Sequence, residues 1–88
     1  MILKWINEKS QWVIKDGFDE IRHKTEENEK EKTITRTVCC YIDKDYENDP
    51  SLVLTDTIKM PKEDDKEHED FSSMYILNDE GKTIERIN

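Results

Sequence analysis

The sequence predicts a mainly β protein, a small antiparallel meander sheet of about six strands joined by acidic loops, with α+β carrying one helix in residues 18–31 as the alternative. Two stretches carry that prediction. In residues 32–42, KTITRTVCCYI, side chains alternate so that Ile34, Arg36, Val38, Cys40 and Ile42 share one face, while Thr33, Thr35, Thr37, Cys39 and Tyr41 share the other. Residues 51–60, SLVLTDTIKM, repeat the pattern with Leu52, Leu54, Asp56, Ile58 and Met60. Each apolar face holds one charge. Antiparallel pairing around residues 43–49 sets Arg36 opposite Asp56, Ile34 opposite Ile58, Val38 opposite Leu54 and Cys40 opposite Leu52. A slip of one residue would turn every apolar side chain outward, so the pattern selects this register. The Arg36 and Asp56 pair reads as a register pin, or as an inward charge that guards a sheet edge.

The remaining elements are taken in chain order. Leu3 and Trp5 alternate with Lys4, residues 7–10 supply a turn, and Trp12 and Ile14 resume the alternation, setting Leu3 against Ile14 and Trp5 against Trp12. Asp16-Gly17 is a two-residue hairpin signal that would bring a third strand, with Ile21, beside Trp12. Residues 20–32, EIRHKTEENEKEK, are rich in helix formers, yet from Arg22 to Lys32 nothing apolar is available for a helix to bury. A strand to about Thr25 followed by an acidic turn is expected there. Residues 61–70, PKEDDKEHED, have no apolar residue after the proline and read as disordered, or at most a short helix begun by Pro61. Residues 71–77 then form a strand, and Asn78-Asp-Glu-Gly81 a type I turn with a glycine bulge, which pairs Ile76 with Ile84 and ends the chain near Ile87. Trp5, Trp12 and Phe71 are assigned to the core.

The 88 residues make one small domain, 1–88, which buries roughly 60 to 65% of its unfolded surface and leaves little room for an enclosed active-site cavity. Charged residues are 41% of the chain and hydrophobic ones 33%, enough for one modest core. The net charge of -8, from 22 acids against 14 Lys and Arg, argues against direct binding to nucleic acid or an anionic membrane and suits a basic protein partner. No stretch reaches the length of a membrane span, and the amino terminus lacks a signal-peptide pattern, so a soluble cytoplasmic protein is expected. Cys39 and Cys40 are adjacent and point to opposite faces of a strand, which offers neither a disulfide framework nor a thiolate metal site. Cys40 is expected in the core.

Chemistry finds few candidates. Neither His23 nor His68 stands in a nucleophile constellation, and there is no glycine-rich phosphate loop. Residues 43–50, DKDYENDP, begin like a calcium loop but lack the glycine at its sixth position and have Leu54 where the bidentate Glu belongs. His68 beside Glu67, Glu69 and Asp70 is a single imidazole in an acidic run. No catalytic residue, cofactor or metal is therefore expected.

What stands out is the arrangement of acids. Glu26, Glu27, Glu29 and Glu31 precede the central strand, Asp43, Asp45, Glu47 and Asp49 follow it, and Glu63, Asp64, Asp65, Glu67, Glu69 and Asp70 follow its partner. In the expected register the first and third groups share one end of the sheet, where they would present carboxylates to a basic protein, such as a nucleic-acid-binding enzyme. The function expected is a non-catalytic acidic inhibitor, acting as the DNA-mimic and anti-CRISPR proteins of phages do. That is an analogy of charge, not of motif. A chain rich in Ile, Lys, Asn, Glu and Asp without alanine also suits an AT-rich phage or firmicute genome. The alternative is a structural or adaptor β-module that forms homo-oligomers or joins an assembly through sheet edges or exposed rings.

Overall fold

The structure, a computed structural model, describes residues 1–42, 49–60 and 70–87. All regular elements among them are strands: β1 (Ile2–Ile6), β2 (Trp12–Lys15), β3 (Glu20–Asn28), β4 (Thr33–Tyr41), β5 (Leu52–Lys59), β6 (Met74–Leu77) and β7 (Thr83–Ile87). They form not one meander but two antiparallel sheets, ordered β2-β1-β6-β7 and β3-β4-β5. Two sheets bury apolar residues from both inner faces at once, which a single sheet of this size cannot do. Leu3, Met74, Ile76 and Ile87 from the first meet Val38 and Cys40 from the second, and Phe18 from the connection joins them.

The pairing of β4 with β5 is the one the alternation predicts. Ile34 faces Ile58, Arg36 faces Asp56, Val38 faces Leu54 and Cys40 faces Leu52, without a break. Half-buried and exposed positions alternate along β5 as the pattern requires. β3 is a strand, not a helix, and it runs past Thr25 to Asn28 because its backbone pairs with β4 along its whole length. Tertiary hydrogen bonding outweighs the helix propensity of its Glu and Lys residues.

Several expectations are corrected. Asp16-Gly17 does not close a hairpin, since β2 and β3 lie in different sheets. Gly17 takes a φ of +86°, and the backbone beyond it is satisfied elsewhere: Phe18 N–H donates to Met1 O at 3.2 Å and Asp19 N–H to Tyr41 O at 2.8 Å. The dipeptide makes a corner between sheets and drops Phe18 into the core. In the first hairpin, Leu3 faces Lys15 and Trp5 faces Val13, one residue away from the expected register. Ser10, at φ +60°, adds a residue to the turn, which is closed by Asn7 N–H to Gln11 O at 2.9 Å. Trp12 is thereby turned away from the core and is 49% exposed.

The last hairpin shows the same effect. Its turn forms as expected, with Gly81 at φ +85° and Gly81 N–H donating to Asn78 O at 2.9 Å, and Leu77 faces Thr83. An irregularity between Ile76 and Leu77 then shifts the register, so Ile76 faces Glu85, not Ile84, and Ile87 reaches Met74 in the core. Regular pairing in β6 begins only at Met74, not at Phe71. Phe71 and Ser72 are held instead by Arg36, and Ser73 O accepts from Ile6 N–H at 3.4 Å.

Arg36 is fully buried and ties the two sheets together. One guanidinium nitrogen, Nη2, donates to Asp56 Oδ2 at 2.7 Å, and Nη1 donates to Ser72 O at 3.1 Å and Ile87 O at 3.2 Å. The Phe71 ring lies against the guanidinium, its centroid 4.7 Å from Cζ. The register pin is also a clasp, because a rigid fork of donors can reach carbonyls that a lysine could not satisfy together.

Cys40 is a core thiol whose pKa burial raises to about 11. Since the unfolded thiol ionises near 9.0, the folded chain keeps a proton between those values that the unfolded chain has lost. Its contribution to stability is complete below about pH 9 and declines toward pH 11. Comparing denaturation midpoints of wild type and Cys40→Val from pH 8 to roughly 11 checks this: the wild type should lose more stability, by at most about 2 kcal/mol. Equal slopes in the two proteins would contradict it.

Candidate acidic interaction surface

The β3–β4 hairpin extends one end of the three-stranded sheet. Strands of nine residues span roughly 30 Å. Asn28 shapes the tip: its Oδ1 accepts from the backbone N–H groups of Lys30 and Glu31, both at 3.1 Å, and Lys32 leaves the turn at φ +56°. Strand alternation puts Glu26, opposite Thr35, on the outer face and Glu27, opposite Ile34, on the inner one. Glu29 and Glu31 lie in the turn. An open depression of about 610 Å³ is lined by these four glutamates with Thr33 and Thr57 among its other walls.

The carboxylates do not stand in an uninterrupted row. Glu26 pairs with Lys24 at 2.9 Å and Glu29 with Lys32 at 3.2 Å. The bond and charge of Glu26 hold the Lys24 ammonium above its ordinary pKa. These exposed pairs contribute little to stability but soften the local field.

Of the remaining site candidates, Glu63, Asp64, Asp65, Glu67 and Glu69 lie outside the described residues. The flanks of their segment are described, and the leading one is fixed at this end. Met60 N–H donates to Lys32 O at 2.8 Å, beside the hairpin tip. On the return, Asp70 is exposed and Phe71 packs on Arg36. Of the acids in the second segment, only Asp49 falls within the described residues, so Asp43, Asp45 and Glu47 and the calcium-loop comparison lie outside them.

No protein-family model, curated protein or solved structure matches this chain. Surface chemistry is what points to function. Among the described residues no three His, Cys, Asp or Glu side chains are grouped to hold a metal ion. No helix among them is long and apolar enough to cross a membrane.

A second surface was not expected from the pattern. The outer face of the four-stranded sheet presents Trp12 beside Tyr75, ring centroids 6.1 Å apart. Lys4 Nζ sits 4.6 Å from the Trp12 centroid and Arg86 Cζ 6.0 Å from that of Tyr75. Ile14 stands beside Lys4 on this face and is exposed. Pairing places two cations and no carboxylate among the strand residues of this face, in an acidic chain. The extra turn residue Ser10 decides it, and the one available signal is the small polar residue that ends the turn.

Proposed function

We propose that the chain is a non-catalytic protein-binding module whose acidic end occupies a basic surface of a partner, of the kind with which a nucleic-acid-binding protein receives phosphates. The observation that supports this reading is the hairpin end itself, where Glu26, Glu27, Glu29 and Glu31 line one open depression and Met60 is bonded to Lys32 beside it. Residues 43–48 and 61–69 together hold eight of the 22 acids but only three of the 14 Lys and Arg, so much of the negative charge resides in these connections. Carboxylates concentrated in this way steer encounter with a basic partner and make it salt-dependent.

The test is a pull-down from a low-GC bacterial lysate at low and high salt, with DNA as competitor. A basic nucleic-acid-binding protein should be recovered at low salt, lost at high salt and displaced by DNA. Replacing Glu27, Glu29 and Glu31 by Gln, and Glu63, Asp64, Asp65, Glu67, Glu69 and Asp70 by Ser or Asn, should lower the association rate at least about tenfold and flatten its salt dependence. An unchanged rate and salt slope would defeat the proposal.

The adaptor reading is favoured by a different observation, the exposed pair Trp12 and Tyr75 with Lys4 and Arg86 beside them, since Trp, Tyr and Arg are the usual anchors of interfaces. Under that reading Trp12→Ser with Tyr75→Ser abolishes assembly, and the acidic substitutions leave it intact.

A further inference from the structure

Two sheets leave four edges among the described residues, and three of them are poorly suited to pairing with another strand. β2 has four residues, and β7 has five with a register shift beside it. β3 is long, but six of its nine residues are ionisable, and His23 reaches across to Glu85 of β7 at 2.7 Å. Natural sheets protect edges with such charges, short strands and bulges. Before Lys59 at its end, β5 carries one such device, the inward charge of Asp56, and neither a bulge nor a shortened strand. It runs for eight residues in unbroken register, and the carboxylate of Asp56 is already held by Arg36.

The hydrogen-bond phase shows what this edge offers. Met60 N–H bonds to Lys32 O, so the even-numbered residues of β5 exchange bonds with β4. Val53, Thr55 and Thr57 therefore direct their N–H and C=O groups away from β4, where no strand lies among the described residues. All three are β-branched, which suits an extended backbone. On the inner side of the same edge runs an open groove of about 360 Å³, with Trp5, Leu54 and Met74 among its apolar walls and Asn7, Thr55 and Asp56 among its polar ones.

We infer that β5 is a self-association edge, through which a second copy of the chain adds its own β5 antiparallel to form a continuous six-stranded sheet. The two-fold axis lies at Leu54. That register pairs Val53 with Thr55 of the second copy and Thr55 with its Val53, and brings the two Leu54 side chains together at the groove. It also sets Asp56 against Leu52 of the second copy, whereas a two-fold axis at Asp56 would oppose two carboxylates. The occupant is a second copy because the edge is complementary to itself in hydrogen bonding, in apolar content and in its placement of charge. Because each copy carries a net charge of -8, salt screens their repulsion and strengthens the dimer. Docking of the acidic end responds to salt in the opposite sense, so the two are separable.

Sedimentation equilibrium over roughly 1 to 300 µM, at low and at high salt, tests the inference together with amide exchange. The wild type should pass from one to two chain masses as concentration rises, at lower concentration in high salt, with the Val53 and Thr55 amides becoming protected at the same time. Thr55→Pro removes an N–H that β4 does not use, so the variant should keep its β circular dichroism and stay monomeric. Val53→Lys, which adds an edge charge and leaves the backbone unaltered, should raise the dissociation constant at least about tenfold and serves if the proline variant unfolds. A wild type monomeric throughout, or a dimer that survives in the folded variants and so uses another face, overturns the inference.

Discussion

Replacing Arg36 by alanine is expected to cost about 3 to 4 kcal/mol, a large share of the roughly 4 to 13 kcal/mol that holds a domain of this size together. The guanidinium is fully buried, and three bonds depend on it, to Asp56, Ser72 O and Ile87 O. Its loss strips two carbonyls of their donor and opens a cavity beside Phe71. Asp56 adds less to the cost, since its side chain is 44% exposed and can rehydrate. Thermal denaturation should show a midpoint lower by about 12 to 30 °C. Asp56→Ala should also destabilise, by leaving the buried cation without its counter-ion. The double substitution Arg36→Met with Asp56→Leu should cost less than either single change, because buried ion pairs are often replaceable by apolar residues of similar volume. A loss below about 1 kcal/mol in Arg36→Ala would mean that the clasp does not hold the sheets.

Leu3→Ala should lose about 3 kcal/mol, while Trp12→Ala, which removes a far larger side chain, should lose less than about 1 kcal/mol. Leu3 has no exposed surface and lies in the cluster with Met74, Ile76 and Ile87, whereas Trp12 stands half exposed on the opposite face of the same sheet. In the register expected from the alternation, Leu3 and Trp12 would share the core face, and the two truncations would be comparably damaging. Chemical denaturation of the two variants therefore reads out the position of Ser10. Equal losses would restore the simpler hairpin and remove Trp12 from the outer face.

These cases show what local pattern can and cannot specify. The β4–β5 ladder is readable residue by residue because each strand alternates strictly and each apolar face contains one charge, of opposite sign. The β1–β2 and β6–β7 hairpins are readable as hairpins but not in full register. One extra residue, at Ser10 in the first and near Ile84 in the second, costs little locally and leaves no mark on the period, yet it reverses the face of every later residue in the strand. Asp16-Gly17 serves a tight hairpin and a corner between sheets equally well, and only the burial of Phe18 chooses between them. For the acidic surface, the pattern locates Glu26, Glu27, Glu29 and Glu31 near one another but does not reveal that Lys24 and Lys32 would neutralise two of them.

By itself the sequence determines that this protein is mainly β, that β4 and β5 pair through Arg36 and Asp56, and that its acids concentrate in connections. Periodicity and charge are local properties, and they are written into neighbouring residues. The tertiary structure alone decides the division into two sheets, the burial of Arg36 against the carbonyls of Ser72 and Ile87, the outward turn of Trp12 and the place of β5 at the end of its strand order. Each depends on which distant backbone groups and apolar faces satisfy one another, and that is settled only when the whole chain closes on a single core.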